Sequence, residues 1–521
     1  MALRVPIFLF LILSVLWAGS CRKDFEYAPS AGNLFFSKDT VYLDTIFSSI
    51  GSSTYSLKVY NRSQEDILIP SVQLRNGVAS GYRLNVDGAA GKSFQNIPVY
   101  AEDSLFIFIE TTVDLDPTNN EVSILYTDAI LFDSGENRQE VELVTLVRDA
   151  IFMYPSTNPD GARETVVLTT DEDGNEIEVQ GFGFADDQLR FSNEKPYVIY
   201  GYGVVPEGKE LIIDAGARVH FHKDSGILVK NGATLSVNGA LSEDPKLLER
   251  EVIFEGDRLE PAFSDLPGQW SSIYIQGGST GNTINYLTIK NASMGLYVEG
   301  DNTLTVPTLT ITNSQVHNSL HYNIWGRNAF ITAKNIVLGS AGSASLYCNW
   351  GGNYSFVHTT IANYWNKGFR NVPALVIDNF KETAGATENS FDLIKADFKN
   401  CIIDGNNALE LLLRANEENA FHFNFSNCMI KFNDTQDRFS EDSLYDFETN
   451  AAYSDIIRNG EADFFDPDQN DFGISLESAA VHAGDPEIAA EAPLDILGKD
   501  RSETPDLGAF QARAKDQNGM D

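Results

Sequence analysis

Short apolar runs recur through the C-terminal half of this chain at a nearly constant interval. Their first inward-facing candidates are Leu287, Leu309, Ile336, Thr359, Cys401 and Cys428, in the runs YLTIKNA, TLTITNS, NIVLGSA, TTIANY, NCIIDGN and NCMIKFN. The intervals are 22, 27, 23, 42 and 27 residues, and we place an insertion around KETAGATENS in the longest one. A period of this length is one coil of a solenoid, in which stacked coils together bury an apolar side that one coil leaves exposed. The repeat therefore predicts a right-handed parallel β-helix.

A second series of runs lies between the first ones. LYVEGDN, YNIWGRN and YCNWGGN end at Asn302, Asn328 and Asn353, which are 26 and 25 residues apart. Each coil is therefore expected to carry two or three short strands. Asparagine also recurs just after a strand, where its amide can bond along the stack and its backbone tolerates a left-handed turn; these residues are Asn291, Asn313, Asn363 and Asn433. A second β-sandwich is the alternative, but it does not explain the regular spacing.

Residues 33–150 have a different pattern, with short strands in which apolar residues alternate. Seven strands are predicted, in LFFSKDTVYLDTIF, STYSLKVYNRS, DILIPSVQL, YRLNVDG, DSLFIFIETTVDL, VSILYTDAILF and QEVELVTLVRD. Seven strands separated by turns rich in Gly, Asn and Asp are typical of an antiparallel β-sandwich. The segment resembles the immunoglobulin-like modules of surface proteins, which serve as spacers or docking surfaces more often than as enzymes.

The two ends of the repeat region carry a further resemblance. KPYVIYGYGVVPEGKELIIDAGARVHF and DFGISLESAAVHAGDPE with DILGKDRSETPDLGAFQ resemble the opening coils and closing segment of pectin-lyase-like β-helix proteins of surface bacteria. The resemblance implies a β-helix over 195–511. We expect a connector and the entry to the β-helix at 151–194, and a polar tail at 512–521. The predicted fold class is all-β, a sandwich followed by a right-handed parallel β-helix. A shared fold does not by itself transfer an activity.

The N-terminus predicts export and lipid anchoring. The apolar run VPIFLFLILSVLWA is 14 residues long, which is shorter than a membrane-spanning helix, and it follows the basic Arg4. AGSCRKDFE then resembles a bacterial lipobox, so residues 1–20 would be removed and Cys21 acylated. Lys23, Asp24 and Glu26 resemble the signal that sends lipoproteins of the Bacteroidota to the outer face of the outer membrane, with 21–32 as anchor and tether. The alternative is a secreted protein in which Cys21 is incidental.

Composition narrows the classes of partner and cofactor. The chain has 74 acidic and 37 basic residues, and a net charge of -37 argues against nucleic-acid binding. This acidity suits a cell-surface protein and allows structural calcium, with no other cofactor expected. Beyond Cys21 only Cys348, Cys401 and Cys428 remain, so a disulfide scaffold is not expected. The pair His220 and His222 lacks a third nearby ligand, so no transition-metal site is predicted.

No catalytic constellation is recognisable. The hydrolase motifs of the pectin-lyase-like class, an Asn-Thr-Asp and an Asp-Asp with a Gly-His-Gly, do not occur. Asp186 and Asp187 are adjacent but precede the coils and suit a turn, and nothing in the spacing singles out Arg327 or Lys367 as the base of a lyase. We therefore expect a non-catalytic protein; a polysaccharide lyase or glycoside hydrolase is the alternative.

A candidate binding surface comes from the second repeat series. Its members are Tyr322, Trp325, Arg327, Tyr347 and Trp350. Aligning YNIWGRN with YCNWGGN places the two tryptophans on adjacent coils, about 4.8 Å apart, both pointing outward if the tyrosines point inward. Exposed stacked aromatics suit a sugar face or a partner protein. A structural ladder covering a corner of the coil is the alternative, and this alignment would also turn Asn349 inward, which suggests a register slip.

These observations predict a lipoprotein of the outer membrane that faces the cell exterior and has a binding or scaffolding role. It would dock on an outer-membrane β-barrel protein or complex, or bind glycan. A broad apolar patch on the sandwich would favour membership of an assembly. The same stacking predicts that Cys401 and Cys428 lie one above the other in the core as a reduced pair, because in-register parallel neighbours would strain a disulfide.

Overall fold

The computed structural model describes residues 27–115, 122–170, 174–244, 247–301, 305–383 and 386–515. Cys21, Lys23, Asp24 and Glu26, with the predicted signal sequence, lie outside these residues. The chain divides into two compact units, 1–149 and 150–521. No helix in the described part of the chain is long and apolar enough to cross a membrane.

The first unit consists of two sheets that enclose an apolar core. Its strands are β1 Ala28–Pro29, β2 Phe35–Phe36, β3 Thr40–Phe47, β4 Tyr55–Tyr60, β5 Ile67–Leu74, β6 Tyr82–Val86, β7 Ala89–Gly91, β8 Ser93–Val99, β9 Ser104–Thr111, β10 Ser123–Phe132 and β11 Gln139–Arg148. One sheet has the order β1-β5-β10-β11-β3 with β8 also on β5, and the other has the order β2-β4-β9-β6-β7. The predicted sandwich is confirmed. The prediction of an antiparallel arrangement is wrong at two places, because β1 pairs with β5 and β11 with β3 in parallel.

The second unit is a long array of short strands. They are β12 Ile151–Met153, β13 Thr165–Thr170, β14 Glu176–Gly183, β15 Arg190–Phe191, β16 Tyr197–Ile199, β17 Tyr202–Val205, β18 Glu210–Asp214, β19 Arg218–Phe221, β20 Gly226–Val229, β21 Thr234–Asn238, β22 Val252–Gly256, β23 Ile273–Ile275, β24 Asn282–Asn285, β25 Leu287–Lys290, β26 Met294–Glu299, β27 Leu309–Thr312, β28 Gln315–His317, β29 Tyr322–Arg327, β30 Phe330–Lys334, β31 Val337–Leu338, β32 Leu346–Asn349, β33 Gly352–Val357, β34 Thr360–Asn363, β35 Leu375–Asp378, β36 Phe380–Thr383, β37 Ala386–Ser390, β38 Leu393–Lys399, β39 Ile402–Gly405, β40 Leu411–Arg414, β41 Asn424–Ile430, β42 Tyr453–Arg458, β43 Phe464–Asp466 and β44 Asp471–Ile474. The one described α-helix is α1, Pro486–Ala489.

Each coil of this unit contributes one strand to each of three parallel stacks. Sheet 1 runs through β15, β18, β21, β24, β27, β30, β33 and β38, and sheet 2 through β16, β19, β22, β25, β28, β31, β34 and β39. Sheet 3 runs through β14, β17, β20, β23, β26, β29, β32, β35 and β40. The long gap in the repeat holds the antiparallel hairpin of β36 and β37. The predicted all-β parallel β-helix is confirmed.

Like side chains stack inside the coils, as the repeat requires. On sheet 1 the rings of Phe356 and Phe398 are 5.1 Å apart, those of Phe398 and Phe425 are 5.0 Å apart, and Tyr453 continues the stack at 5.6 Å. All four side chains are buried. Stacked aromatic rings add to the stabilisation that their burial provides.

The corner between sheet 1 and sheet 2 is a single left-handed residue in six successive coils. These residues have φ between 46° and 54° and are Tyr286, Asn313, Asn335, His358, Asn400 and Asn427. Asparagine tolerates this conformation better than most residues. Of the predicted turn asparagines, Asn291 and Asn313 have positive φ, but Asn363 and Asn433 do not: Asn363 lies inside β34.

The register of the first repeat series needs one correction. Leu309 lies on sheet 1, where it pairs with Ile331, and not in the inward position of Leu287. The pairs Thr288–Gln315 and Gln315–Val337 place Ser314 between Leu287 and Ile336 in that position. A serine fits there because its hydroxyl donates to the Thr312 carbonyl at 2.7 Å and accepts from the Leu287 amide at 3.1 Å.

The two cysteines of the last coils are in equivalent positions. Ile402 pairs with Met429, so Cys401 and Cys428 stack one residue earlier. Both are buried and free. Their thiols donate to carbonyls on the strand beneath and on their own strand, Cys401 to Phe356 at 3.5 Å and Cys428 to Phe398 at 3.4 Å. The predicted stacking is confirmed.

The chain beyond Arg458 does not add coils, contrary to the expectation of a β-helix to residue 511. β43 and β44 form an antiparallel pair, and the following segment packs along the outer side of sheet 2. This buries outward-facing residues of sheet 2 against residues from the segment. The two groups are Val337, Ala362, Ile402 and Met429 on the sheet, and Phe472, Ile474, Ala480, Ile496, Leu507 and Ala509 on the segment.

Candidate ligand-binding face of the β-helix

A row of aromatic side chains runs along the outside of sheet 3. Tyr274 pairs with Tyr297, Tyr297 with Trp325, and Trp325 with Tyr347 on four successive coils. Ring centroids are 4.6 Å apart for the first two pairs and 6.2 Å apart for the third, whose planes differ by 7°. Parallel strands in register force this stacking, since equivalent side chains lie directly above one another. Tyr297, Trp325 and Tyr347 are partly exposed, and we call these three residues the aromatic face.

The predicted pairing of Trp325 with Trp350 is wrong. Trp325 stacks on Tyr347, which points outward rather than inward, while Trp350 lies in the turn after β32 and stacks on Phe391 at 5.5 Å. Trp350 and Gly351 in the turn and Gly352 at the start of β33 all have positive φ, so β32 ends three residues earlier than the matching letters suggest. Asn349 is buried, and the register slip that its position suggested is real.

Arg327 links the aromatic row to this turn. Its guanidinium lies 5.4 Å from the centre of the Tyr297 ring and 4.7 Å from that of Trp350, and it forms an ion pair with Glu299. Cation–π contacts of this kind are favourable when the groups are partly desolvated. Tyr322 packs beside the row, with its ring 5.5 Å from those of both Trp325 and Tyr347. Four of the five predicted surface residues therefore meet in one cluster, and Trp350 reaches it through Arg327.

Glu299 occupies one end of a polar row beside the rings. Its carboxylate accepts hydrogen bonds from the hydroxyls of Tyr274 at 2.6 Å and Tyr297 at 2.7 Å, in addition to the ion pair with Arg327. Burial raises the pKa of both tyrosines, so both remain donors at any physiological pH. The row thus has fixed donors and acceptors.

Asp378 lies further along this row, between Asn349 and Arg414. Its carboxylate accepts hydrogen bonds from the Tyr347 hydroxyl at 2.7 Å, the Asn349 amide at 2.8 Å and the Trp350 backbone N–H at 2.9 Å. Burial raises the pKa of Asp378, and these hydrogen bonds oppose the rise. The Trp325 indole N–H donates to Asn349 at 3.3 Å, which connects the ring row to the polar row.

The N-terminal end of the row is covered by the protein itself. Val166, Leu168 and Val179 of the β13–β14 hairpin pack against the cluster that contains Tyr274, and the Gln276 amide donates to the Leu168 carbonyl at 3.1 Å. This covering explains why Tyr274 is buried while the later rings are partly exposed. The accessible part of the row is therefore the aromatic face.

The other residues singled out in the sequence do not converge here. Asp186 lies in an exposed turn and pairs with Lys209 at 2.7 Å, and Lys367 is exposed in the loop after β34. His222 pairs with Asp257 at 2.7 Å, and this hydrogen bond raises its pKa. Within the described ranges no three His, Cys, Asp or Glu side chains are grouped to hold a metal ion.

Sequence reasoning missed Tyr297, Glu299 and Asp378. Tyr297 and Glu299 belong to the run LYVEGDN. In the sequence this run is aligned with the other two only by its final asparagine, so the alignment does not single out Tyr297 or Glu299. Aligning that run with YNIWGRN by strand position, rather than by its last letter, places Tyr297 on Trp325 and Glu299 on Arg327. Asp378 precedes an irregular insertion, and no repeat in the sequence marks it.

No protein-family model matches the chain, and no curated protein sequence matches it. Among solved structures, PapD-like domain 7 of human CEP192 matches 24% of this chain and 89% of its own, with 7% identity and a TM-score of 0.15. The catalytic unit of a GH87 α-1,3-glucanase from Streptomyces thermodiastaticus matches 72% of this chain and 84% of its own, with 10% identity and a TM-score of 0.24.

A family 123 glycoside hydrolase from Clostridium perfringens, described in work on glycolipid glycan hydrolysis, matches 23% of this chain and 30% of its own, with 8% identity and a TM-score of 0.16. At these TM-scores none of the three similarities carries an argument about this chain. Its fold is established by its own strand pairings.

Proposed function

We propose that this protein is a lipid-anchored lipoprotein on the outer face of the outer membrane that binds glycan without catalysis through the aromatic face. The observation that carries the proposal is the row formed by Tyr297, Trp325 and Tyr347, partly exposed and in register on three coils. Pyranose rings present apolar C–H faces, and the outer edges of the stacked aromatic rings offer complementary apolar area.

The polar row beside these rings supports recognition of sugar hydroxyls. Glu299, Arg327, Asn349 and Asp378 follow one another along the coils, parallel to the aromatic face. A ligand that extends along the axis of the β-helix would contact rings with one edge and the partly exposed Glu299 and Arg327 with the other. The buried Asn349 and Asp378 would instead hold Trp325 and Tyr347 in place through their hydrogen bonds. Orientation by a few fixed polar groups beside an apolar surface is the usual arrangement of a specific site.

The hydrolase alternative has less support from this face. Hydrolysis of a glycosidic bond uses one carboxyl as an acid and a second as a base or nucleophile, at a set separation. Glu299 is engaged by an arginine and two tyrosine hydroxyls, and Asp378 by three donors. Carboxylates held in this way suit a binding surface better than proton transfer.

The test is binding to an array of bacterial and host glycans, followed by calorimetry with any ligand that binds. Trp325→Ala should weaken the affinity about tenfold or more, since a buried aromatic contact contributes on the order of 1–2 kcal/mol. Phe106→Ala, an exposed aromatic in the first unit, is the control and should bind normally. Shortened glycan products, or unchanged affinity in Trp325→Ala, would contradict the proposal.

The anchor is tested in cells. Cys21→Ser should prevent acylation and remove the protein from the outer-membrane fraction, because the thiol is the acceptor. Replacing Lys23, Asp24 and Glu26 by Ala should keep the anchor but lower accessibility to external protease. A Cys21→Ser protein that still fractionates wholly with the outer membrane would refute lipidation. Co-purification from native membranes tests the further proposal of a β-barrel partner.

A further inference from the structure

The first unit carries exposed aromatic side chains on the outer face of its five-stranded sheet. In β9, Leu105, Ile107 and Ile109 point into the core, while Phe106 and Phe108 point outward and remain 47% and 45% exposed. Their rings lie 6.2 Å apart with planes 10° from parallel. Strand alternation therefore places two phenylalanines in water where polar residues would suffice.

Neighbouring strands extend this group and add positive charge. Phe35 of the edge strand β2 is 46% exposed, and the Arg62 guanidinium lies 4.2 Å from the centre of its ring. The Lys58 ammonium lies 5.0 Å from the Phe106 ring and 5.4 Å from the Tyr60 ring. We call the set Phe35, Lys58, Tyr60, Arg62, Phe106 and Phe108 the aromatic–cationic face.

The charge of this face is opposite to that of the protein. Besides Lys58, the strands of the sheet carry only Arg83 and Glu110 as charged residues, and these two pair with each other at 3.6 Å. The strand residues of this sheet therefore have a net charge of +1, from Lys58, whereas the whole chain has a net charge of -37. Arg62 adds a positive charge in the turn after β4, and Glu102 and Asp103 lie in the turn beside it. A local positive surface on a strongly acidic protein indicates an anionic partner.

Aromatic rings beside lysine and arginine are the residues that favour the interface of a lipid bilayer. The rings lie at the level of the headgroups, and the long cationic side chains reach anionic phosphates while their methylenes stay in apolar surroundings. Each Lys or Arg near an anionic surface strengthens binding by about 1 kcal/mol. Single-stranded nucleic acids are also bound by aromatic rings beside cations, but the proposed lipid anchor places this face next to a lipid surface.

Chain length brings this face close to the bilayer, and this step rests on the proposed lipid anchor. Five residues lie between Cys21 and Tyr27, the first described residue, so these six steps of the chain span at most about 20 Å. Phe35 of the face follows eight residues later. A sandwich held at this distance meets the headgroups repeatedly, and a weak surface affinity then becomes effective.

We propose that the aromatic–cationic face binds the anionic headgroup surface of the membrane that carries the protein. The anchor and the face would together fix the orientation of the first unit on the bilayer. Neither alone would do so, because a single point of covalent attachment leaves the unit free to rotate.

The experiment uses residues 22–521, which include every described residue and lack the acylated cysteine. Sedimentation with vesicles of phosphatidylethanolamine containing one quarter phosphatidylglycerol should pellet the protein, and phosphatidylcholine vesicles should pellet much less. Phe106→Ser with Phe108→Ser should lower partitioning about tenfold, and Lys58→Glu about fivefold. Tyr42→Ser with Leu125→Ser, two residues that are each 65% exposed on the other sheet, is the matched control and should partition normally.

Equal partitioning of the face and control variants would overturn the proposal. A second result would also overturn it. If the parent protein did not bind vesicles, and the Phe106→Ser, Phe108→Ser variant lost a membrane protein that co-purifies with the parent, the face would bind a protein and not lipid. The vesicle assay needs neither Cys21 nor a glycan. A negative result would therefore not bear on the proposed lipid anchor or on glycan binding by the aromatic face, which have separate tests.

Discussion

Glu251 is a carboxyl at the start of β22 that is only 8% exposed. Burial, reinforced by Glu249 and opposed by Arg218, raises its pKa from 4.5 to about 6. Between these two values the folded protein holds a proton that the unfolded chain has lost, so stability falls as the pH rises through the window. Above about pH 6 the buried Glu251 carboxylate lowers the free energy of unfolding by at most about 2 kcal/mol, and by less where water reaches the carboxyl.

Glu251→Gln should therefore stabilise the protein at pH 7 and have little effect at pH 4.5. The reason is that glutamine has no charge to bury and no proton to lose. Urea unfolding of both proteins at several pH values between these limits measures the difference. A variant that is equally destabilised at every pH would show that the carboxylate makes a contact that outweighs its burial.

Single residues of the candidate site are predictable only where local pattern and strand position agree. Trp325 and Arg327 can be identified because alternation along a strand is visible in the letters. Trp350 cannot be placed correctly, because the positive φ of Trp350, Gly351 and Gly352 ends the strand early. A Gly-Gly pair permits that turn, but the sequence does not indicate that Trp350 lies outside the aromatic row of sheet 3.

The corner asparagines are the structural feature that repeats from coil to coil. The Asn335 amide donates to Asn313 at 2.9 Å and to the Leu494 carbonyl at 2.8 Å, and Asn313 donates to Asn285 at 2.9 Å. At Asn313 and Asn335 the same residue thus provides both the left-handed backbone and a hydrogen bond along the stack, whereas Tyr286 and His358 hold this corner in two other coils.

Asn335→Ala should destabilise the second unit by about 2–4 kcal/mol, since alanine in this conformation costs about 1–2 kcal/mol and the hydrogen bonds about 1 kcal/mol each. Asn335→Gly keeps the backbone conformation at little cost and should lose only the hydrogen bonds. Denaturant unfolding separates the two contributions. If both variants lost the same stability, the left-handed backbone at this corner would contribute little to the cost of replacing Asn335.

Cys401 and Cys428 should resist alkylation in the folded protein and react fully once it unfolds. Both thiols are buried, and burial raises the pKa of Cys428, which keeps it in the unreactive thiol form. Mass spectrometry after alkylation under native and under denaturing, non-reducing conditions measures this. A linked 401–428 peptide would contradict the reduced pair.

At the level of elements, the period predicts the coils but not the strand that each run forms. YLTIKNA and TLTITNS share the letters Leu-Thr-Ile, yet Leu287 lies on sheet 2 and Leu309 on sheet 1. Both strands alternate in the same way, so periodicity alone cannot distinguish them. The repeat on sheet 2 is not visible in the sequence because Ser314, a polar residue, takes the position that Leu287 and Ile336 hold in the neighbouring coils.

Each of the two units has its own main apolar core. One consists of residues between Leu34 and Leu143, and the other of residues between Met153 and Tyr453, and these two clusters share no described residue. Separate cores favour separate cooperative units.

Calorimetry should accordingly resolve two transitions. Ile69→Ala should lower only the transition of the first unit and Ile275→Ala only that of the second, each by about 2–5 kcal/mol of unfolding free energy, because both residues are fully buried. A single transition that both variants shift together would show that the two units unfold as one.

The order of the two domains is predictable from the sequence, because strands with alternating apolar residues are followed by apolar runs that repeat at a nearly constant interval. The path of the C-terminal segment is not. Val337, Ala362 and Met429 point out of the coil, but in the sequence they look like further core residues. Only the three-dimensional arrangement shows that a later part of the chain covers them.

That covering segment sets an order on biogenesis. Ribosomes make the chain from its N-terminus, so the apolar strip of sheet 2 meets water until Phe472 and the residues up to Ala509 have been made. A chain truncated within residues 472–509 would leave the apolar strip of sheet 2 exposed. Such a chain would be prone to aggregation and to recognition by chaperones and proteases. Residues 472–509 therefore complete the fold, because only a chain that contains them covers the apolar strip of sheet 2.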